Sequence, residues 1–291
     1  MKVIAFSDPH GILPSITTEF DLMFICGDIC PVDNHYRAWQ REWMENHFTE
    51  WINNLPFKDT LSKVIFIAGN HSMRLESCKR EDIKSGILDK CNGRLIYLQN
   101  EYYEFDHWNG VELKTYKIFG TPYCKKFGNW AFMRPDDKLR EHFEQIPYNL
   151  DFLITHDPPN LNDCGTILQQ TKWSDGTKKV GNDILSEYVL DRKPKYVFSG
   201  HIHSGNHNLE EYTEEKEIKR ICLNEIKDEK VKESLTEQLS KVPILEGYGP
   251  SLDVDSSFNE YSTNNQPLHH YSLYIPEKAK ENMPLIVVVP S

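Results

Sequence analysis

Five short apolar runs in this chain each stop abruptly at residues able to bind a metal ion. Residues 3–6 lead into Ser7-Asp8-Pro9-His10, 22–26 into Gly27-Asp28, and 64–68 into Gly69-Asn70-His71. Residues 152–154 lead into Thr155-His156-Asp157, and 196–198 into Ser199-Gly200-His201-Ile202-His203. Uninterrupted apolar runs of this length predict strands buried on both faces. Helical spacing fills the gaps between them. Residues 34–54 carry Trp39, Trp43, Phe48, Trp51 and Ile52 in an amphipathic pattern, and 79–90, 136–145 and 182–191 predict shorter helices. Such alternation predicts a layered α/β fold. Residues 94–119 read as strands with a turn at 106–110, extending a second sheet. The runs 273–275 and 285–289 read as closing strands.

In α/β sheets of this kind, ligands bind at the carboxyl ends of the strands. The strand ends here supply Asp8, His10, Asp28, Asn70, His156, His201 and His203. Asp8 and His10, like His201 and His203, stand at i and i+2, on one side of an extended backbone. Glycine before Asp28, Asn70 and His201 lets the chain turn sharply into a crowded cleft. Oxygen and imidazole donors without a thiolate suit Mn, Fe, Zn or Co. Seven donors exceed one ordinary site and suit two metals sharing a carboxylate, a recurrent arrangement for phosphoester hydrolysis. Taken singly, a strand-end Asp reads as a turn residue and a lone His as a packed side chain. The ordered set, each member following an apolar strand, is what carries the metal reading.

That order resembles the calcineurin-like metallophosphoesterases. A narrower resemblance lies in Phe119-Gly120-Thr121-Pro122-Tyr123 and Phe127-Gly128-Asn129-Trp130-Ala131-Phe132. These look like the "GSPW…WAF" segment of the MPPED-type phosphodiesterases, and Thr155-His156-Asp157-Pro158-Pro159 is similar to their "THGPP". The resemblance implies a four-layer α/β/β/α sandwich with two mixed β-sheets. It implies one metal on Asp8, His10, Asp28 and His203, and a second on Asp28, Asn70, His156 and His201, with Asp28 bridging. The two divalent ions are expected to be Mn²⁺, with Fe, Zn or Co as alternatives. Asp28, Asn70 and His71 would be catalytic. His71 would stabilise or protonate the departing oxygen, while Asn70, His71 and Asn206 would contact substrate. The implied reaction is hydrolysis of a small phosphodiester, such as a cyclic nucleotide, by a hydroxide bridging the metals. One departure stands out: many relatives have Asp or Glu after the Asn-His pair, and this chain has Ser72. A second is Pro9, which stiffens the turn between the first two ligands.

Composition narrows the partners. The 291 residues carry 44 acidic and 33 basic side chains, a net charge of −11. An extended nucleic-acid track needs clustered Lys and Arg, so none is expected. Neither a membrane span nor a leader is expected, because residues 1–11 lack the long apolar stretch of either. Seven cysteines, an odd and irregularly spaced number, fit a reducing, cytoplasmic location. A single domain over 1–291 is expected, with a charged helical insertion at about 210–241 in which Val231, Leu235 and Leu239 recur every four residues. Oligomeric state is not legible. Phe127, Trp130 and Phe132 read either as inter-layer packing or as a stacking platform for a nucleobase. Rival functions are a nuclease or end-processing enzyme, a phosphomonoesterase, and a non-catalytic scaffold on the same fold.

Overall fold

The computed structural model describes residues 1–161, 164–167 and 178–204, together with the backbone of four later strands. In chain order the strands begin with β1 (Lys2–Phe6), β2 (Leu22–Ile25), β3 (Lys63–Phe66), β4 (Leu95–Tyr97), β5 (Glu101–Trp108) and β6 (Leu113–Thr121). Next come β7 (Cys124–Lys125), β8 (Met133–Arg134), β9 (Phe152–Thr155), β10 (Thr166–Ile167), β11 (Lys178–Lys179) and β12 (Tyr196–Ser199). The last four are β13 (Glu210–Tyr212), β14 (Lys219–Arg220), β15 (Ser272–Pro276) and β16 (Leu285–Val288).

Two large sheets result. The first has the order β16-β1-β2-β3-β4 and is parallel at every junction. The second has the order β14-β13-β15-β12-β9-β6-β5 and mixes both senses. Only this second sheet is mixed in the sense expected from the sequence. In the first, helical crossovers lead from β2 to β3 and from β3 to β4, and a long loop leads from β1 to β2, connections that allow parallel pairing.

Strict alternation along the strands builds the layers. Val3, Ala5, Leu22, Phe24, Ile65 and Ile67 meet Ile118, Phe152, Ile154, Tyr196 and Phe198 in one cluster between the sheets. Their neighbours Ile4, Phe6, Met23, Ile25, Val64 and Phe66, like Leu153 and Val197, face away and pack on helices. A strand covered on both faces reads as a continuous apolar run, which is why the alternation is invisible in the sequence. The outcome is the α/β/β/α sandwich.

Register places the chemistry. Phe6 pairs with Ile25, and Ile25 with Phe66. Thr121 pairs with Thr155, and Ile154 with Phe198. The polar residues that follow these strands therefore emerge along one rim of each sheet.

The helix expected at 34–54 forms in three continuous pieces: α1 (Arg37–Trp43), a π-helical turn (Met44–Phe48) and α2 (Thr49–Asn53). Its buried stripe is Gln40, Met44, Phe48 and Ile52, with Thr49 buried beside it, while Trp39, Trp43 and Trp51 lie at the flanks. A strict four-residue repeat drifts by about 40° per step on a regular α-helix. The wider π-turn takes up that drift and keeps the stripe on the sheet. Farther on come α3 (Met73–Ser77), α4 (Arg80–Ile83), α5 (Asp136–Phe143) and α6 (Asp183–Arg192). The β5–β6 turn falls at Asn109–Glu112, later than expected, because the Asn109 side chain accepts the Val111 and Glu112 amides. At the start of the charged stretch 210–241, expected to be helical, the backbone forms β13 and β14 instead. These lengthen the second sheet. Val231, Leu235 and Leu239 lie outside the described residues. No helix among the described residues is long and apolar enough to cross a membrane.

Beside the amino end of β1, buried Asp21 accepts the Lys2 amide at 2.5 Å and the Lys58 ammonium at 2.9 Å. His107 lies 3.6 Å away. Burial opposes ionisation of Asp21, but these partners hold its carboxyl below the usual range. A depressed carboxyl stabilises the fold above the unfolded-state value and loses that contribution as pH falls through the folded-state value. Asp21→Asn is therefore expected to cost about 1–3 kcal/mol near neutrality. The gap should close below about pH 4. Urea unfolding at both pH values checks this.

Candidate metal centre

The ligand loops are built from backbone that few side chains tolerate. Asp8, His10, Asp28 and His201 have φ of +56°, +45°, +48° and +70°. The i, i+2 pairs therefore do not sit on extended chain as the sequence suggested; left-handed turns aim them instead. Asp and His enter this region more readily than most residues, still at a cost of about 1–3 kcal/mol each. Interlocking bonds hold the turns. The Asp8 amide donates to Gly27 O at 3.1 Å, and the His10 amide to Asp28 O at 3.0 Å.

The two acidic ligands are anchored alike. Asp8 Oδ2 accepts the His201 amide at 2.8 Å, and Asp28 Oδ1 accepts the His71 amide at 2.8 Å. Each keeps its other oxygen for the imidazoles. Asp8 Oδ1 lies 3.3 Å from His203 Nε2 and 3.9 Å from His10 Nε2. Asp28 Oδ2 lies 3.3 Å from His156 Nε2. Two glycines make room. A Cβ on Gly69 would collide with Asp28 Oδ1 and the His156 ring, and one on Gly200 with Ser7 Oγ and Asp8 Oδ2.

His156 shows what the cluster lacks. Its Nδ1 lies 2.8 Å from the Cys26 carbonyl, which only accepts, so Nδ1 carries the proton. Nε2 then faces Asn70 Oδ1 at 2.9 Å and Asp28 Oδ2 at 3.3 Å, both lone-pair donors. Converging lone pairs call for a cation. Burial opposes charge on His156, yet Asp28 and Asp8 push it up to about 10. Burial would raise Asp8, but His156 and His203 outweigh it and hold the carboxyl well below its usual range. Asp28 is lowered in the same way, burial opposing and His156 and His71 prevailing. Burial pushes His10 down to about 4, and lowers His201 as well. Among the described residues, no Lys or Arg pairs with either buried carboxylate.

Ligand atoms of Asp8, His10 and His203 lie within 4.8 Å of one another, and so do those of Asp8, Asp28 and His156. The donor set, carboxylate and imidazole without thiolate, fits divalent cations. Asp8 is common to both groups, whereas the sequence resemblance put Asp28 at the bridge. Asn70 joins the second group through His156. His201 stands beside it, its ring 5.0 Å from that of His156 and its Nε2 3.7 Å from Asp157 Oδ1. His71 lies next to the cluster, its ring 5.2 Å from that of His10. Asn206 lies outside the described residues.

Three residues escaped the sequence reading. Asp157 accepts the Lys125 amide and the Asn182 side chain, which fixes it beside His201. Gln40 is buried and clamps the turn after β3, donating to His71 O at 2.8 Å and accepting the Arg74 amide at 3.0 Å. His35 contacts the His71 ring, its Nε2 2.8 Å from His71 Nδ1. No spacing rule marks a glutamine inside a helix or a histidine in a loop.

Fold and donor set together are those of a metallophosphoesterase domain. The chain belongs to the calcineurin-like phosphoesterase family, whose model matches residues 1–205 and so includes every ligand from Asp8 to His203. It is similar to human metallophosphoesterase domain-containing protein 1, at 28% identity over 70% of this chain and 61% of the relative. It is also similar to a UPF0046 protein of Caenorhabditis elegans, at 32% identity over 51% of this chain and 35% of the relative. A probable rhamnogalacturonate lyase C of Emericella nidulans matches at 28% identity over 70% of this chain. That match covers 17% of the relative. The chain thus spans less than two thirds of each of these relatives.

Gly200→Ala tests the packing of the centre. Its backbone tolerates alanine, so the methyl acts only by displacing Ser7 and Asp8. Metal affinity is expected to fall about 10- to 100-fold, read by Mn²⁺ titration.

Proposed function

We propose that this chain is a metal-dependent phosphodiesterase acting on a small phosphodiester such as a cyclic nucleotide. The observation that carries the reading is the sharing of Asp8 between two groups of ligand atoms, which suits a pair of cations. Two such ions, Mn²⁺ in this reading, would supply water activation near neutral pH and neutralise charge on the phosphoryl oxygens. The protein does the rest. Asp8 and Asp28, each tied to a backbone amide, keep one oxygen fixed toward the centre. His156, tied to Cys26 O, presents Nε2. His71 delivers a proton to the departing oxygen, the role that histidine most often fills in general acid catalysis.

The rim supports a flat organic group on the substrate. Phe127 is 67% exposed and stacks on His201, with ring centroids 5.5 Å apart. Trp130 is 37% exposed and lies 4.7 Å from the His71 ring. A nucleobase stacked here would gain about 1–3 kcal/mol. Phe132, the third aromatic of that segment, is fully buried and takes no part. The net charge of −11 weighs against a long nucleic-acid substrate. The thiols of Cys26, Cys30, Cys91 and Cys124 are buried and unpaired, which supports a reducing, cytoplasmic setting.

Metal-stripped protein resupplied with Mn²⁺ should hydrolyse bis-p-nitrophenyl phosphate faster than p-nitrophenyl phosphate. Asp28→Asn should lose that activity together with a bound metal. On a diester with a poorer leaving group, such as phenyl methyl phosphate, His71→Ala should keep its metals and lose about 10²-fold or more in kcat. Faster monoester turnover would make the enzyme a phosphomonoesterase. Silence with Mn²⁺, Zn²⁺, Co²⁺ and Fe²⁺ alike would favour the scaffold.

A further inference from the structure

The residue after Asn70-His71 does not serve His71. Ser72 is buried, and its hydroxyl accepts the Gly69 amide at 3.0 Å, closing the turn. The partner of the His71 ring comes from the segment that leads from β2 into α1. His35 Nε2 lies 2.8 Å from His71 Nδ1, the one side-chain hydrogen bond of that ring among the described residues. The two rings lie 5.1 Å apart at 30°. Trp130 packs against both, 5.1 Å from His35 and 4.7 Å from His71, and so fixes the pair from the rim. The same segment also holds the His71 backbone, because Gln40, five residues after His35, donates to His71 O. Burial beside His71 lowers His35, which keeps it a neutral hydrogen-bond partner near pH 7.

We propose that His35 is a positioning residue that substitutes for the acidic residue replaced by Ser72: its Nε2 accepts Nδ1–H of His71 and commits His71 Nε2 to the departing oxygen. The inference rests on the role given to His71 above. As a water oxygen bonds to phosphorus and the bond from phosphorus to the leaving oxygen breaks, the proton on His71 Nε2 passes to that oxygen. The Nδ1 proton stays in the bond to His35, and the proton released by the water restores His71. A neutral acceptor orients the ring without the field of a carboxylate. Its effect should therefore appear only where the leaving group needs a proton.

The test compares His35→Ala and His35→Gln with the wild type on 4-nitrophenyl methyl phosphate and phenyl methyl phosphate, all loaded with Mn²⁺. The nitrophenolate departs with little protonation, whereas phenolate needs it. His35→Ala is expected to lower kcat about 10²-fold on the phenyl ester and less than about threefold on the nitrophenyl ester. KM and Mn²⁺ content should stay unchanged. His35→Gln, whose carbonyl can accept the same proton, should recover part of the loss. Equal losses on both esters, or loss of metal, would reduce His35 to a structural role and overturn the inference. A second readout is independent of turnover. In ¹⁵N-histidine spectra, His71 Nδ1 should carry a hydrogen-bonded proton in the wild type that is lost in His35→Ala. An unchanged Nδ1 signal overturns the inference even in an active enzyme. Wild-type inactivity on both esters with the expected Nδ1 change would instead count against the phosphodiesterase reading alone.

Discussion

Two carboxylates buried side by side, with no lysine or arginine among the described residues to balance them, are the constraint around which this molecule is organised. Asp8 and Asp28 sit on neighbouring loops whose amides bond to each other's backbone. Isolated buried charges of this kind cost several kcal/mol each unless a cation or a proton shares the site. The imidazoles of His10, His156 and His203 crowd around them, and in His10 and His156 burial competes with the carboxylate field. His156 and His10 show the two outcomes, one pushed up to about 10 and the other down to about 4. Identical side chains diverge because His156 lies against Asp28 and is tied to a carbonyl, whereas burial dominates His10.

Holding that arrangement requires both sheets. The first supplies Asp8, His10, Asp28 and Asn70 from loops after β1, β2 and β3. The second supplies His156, His201 and His203 from loops after β9 and β12. Bonds between the halves include His201 N to Asp8, His156 to Cys26 O and Asn70, and His203 to Asp8. The apolar layer between the sheets, centred on Phe24, Phe152 and Phe198, sets their distance. The left-handed turns store strain that this layer offsets. Stability and site geometry are thus one problem, and the glycines at 69 and 200 mark where it is tightest.

Much of this was legible in the residues. Apolar runs ending in Asp-Pro-His, Gly-Asp, Gly-Asn-His and Gly-His-Ile-His marked the strands and their functional ends, and the register of β1, β2 and β3 aligns them as expected. The π-turn at Met44–Phe48 was not legible, because the tryptophans at helical spacing masked Gln40 and Met44, which complete the buried stripe with Phe48 and Ile52. Phe132 resembled its neighbours Phe127 and Trp130 in sequence, yet it is buried while they line the rim.

The sequence by itself determined which residue types stand at strand ends, and so the kind of ion and chemistry they suit, because strand periodicity and donor hardness are local properties. Only the tertiary structure decided which oxygen of Asp8 is free, that Asp8 joins both ligand groups, and that His35 reaches His71. Those contacts join segments dozens to nearly two hundred residues apart, and backbone angles at single residues aim them. No local pattern encodes such aim. It arises when two sheets pack and their loops compete for the same buried space.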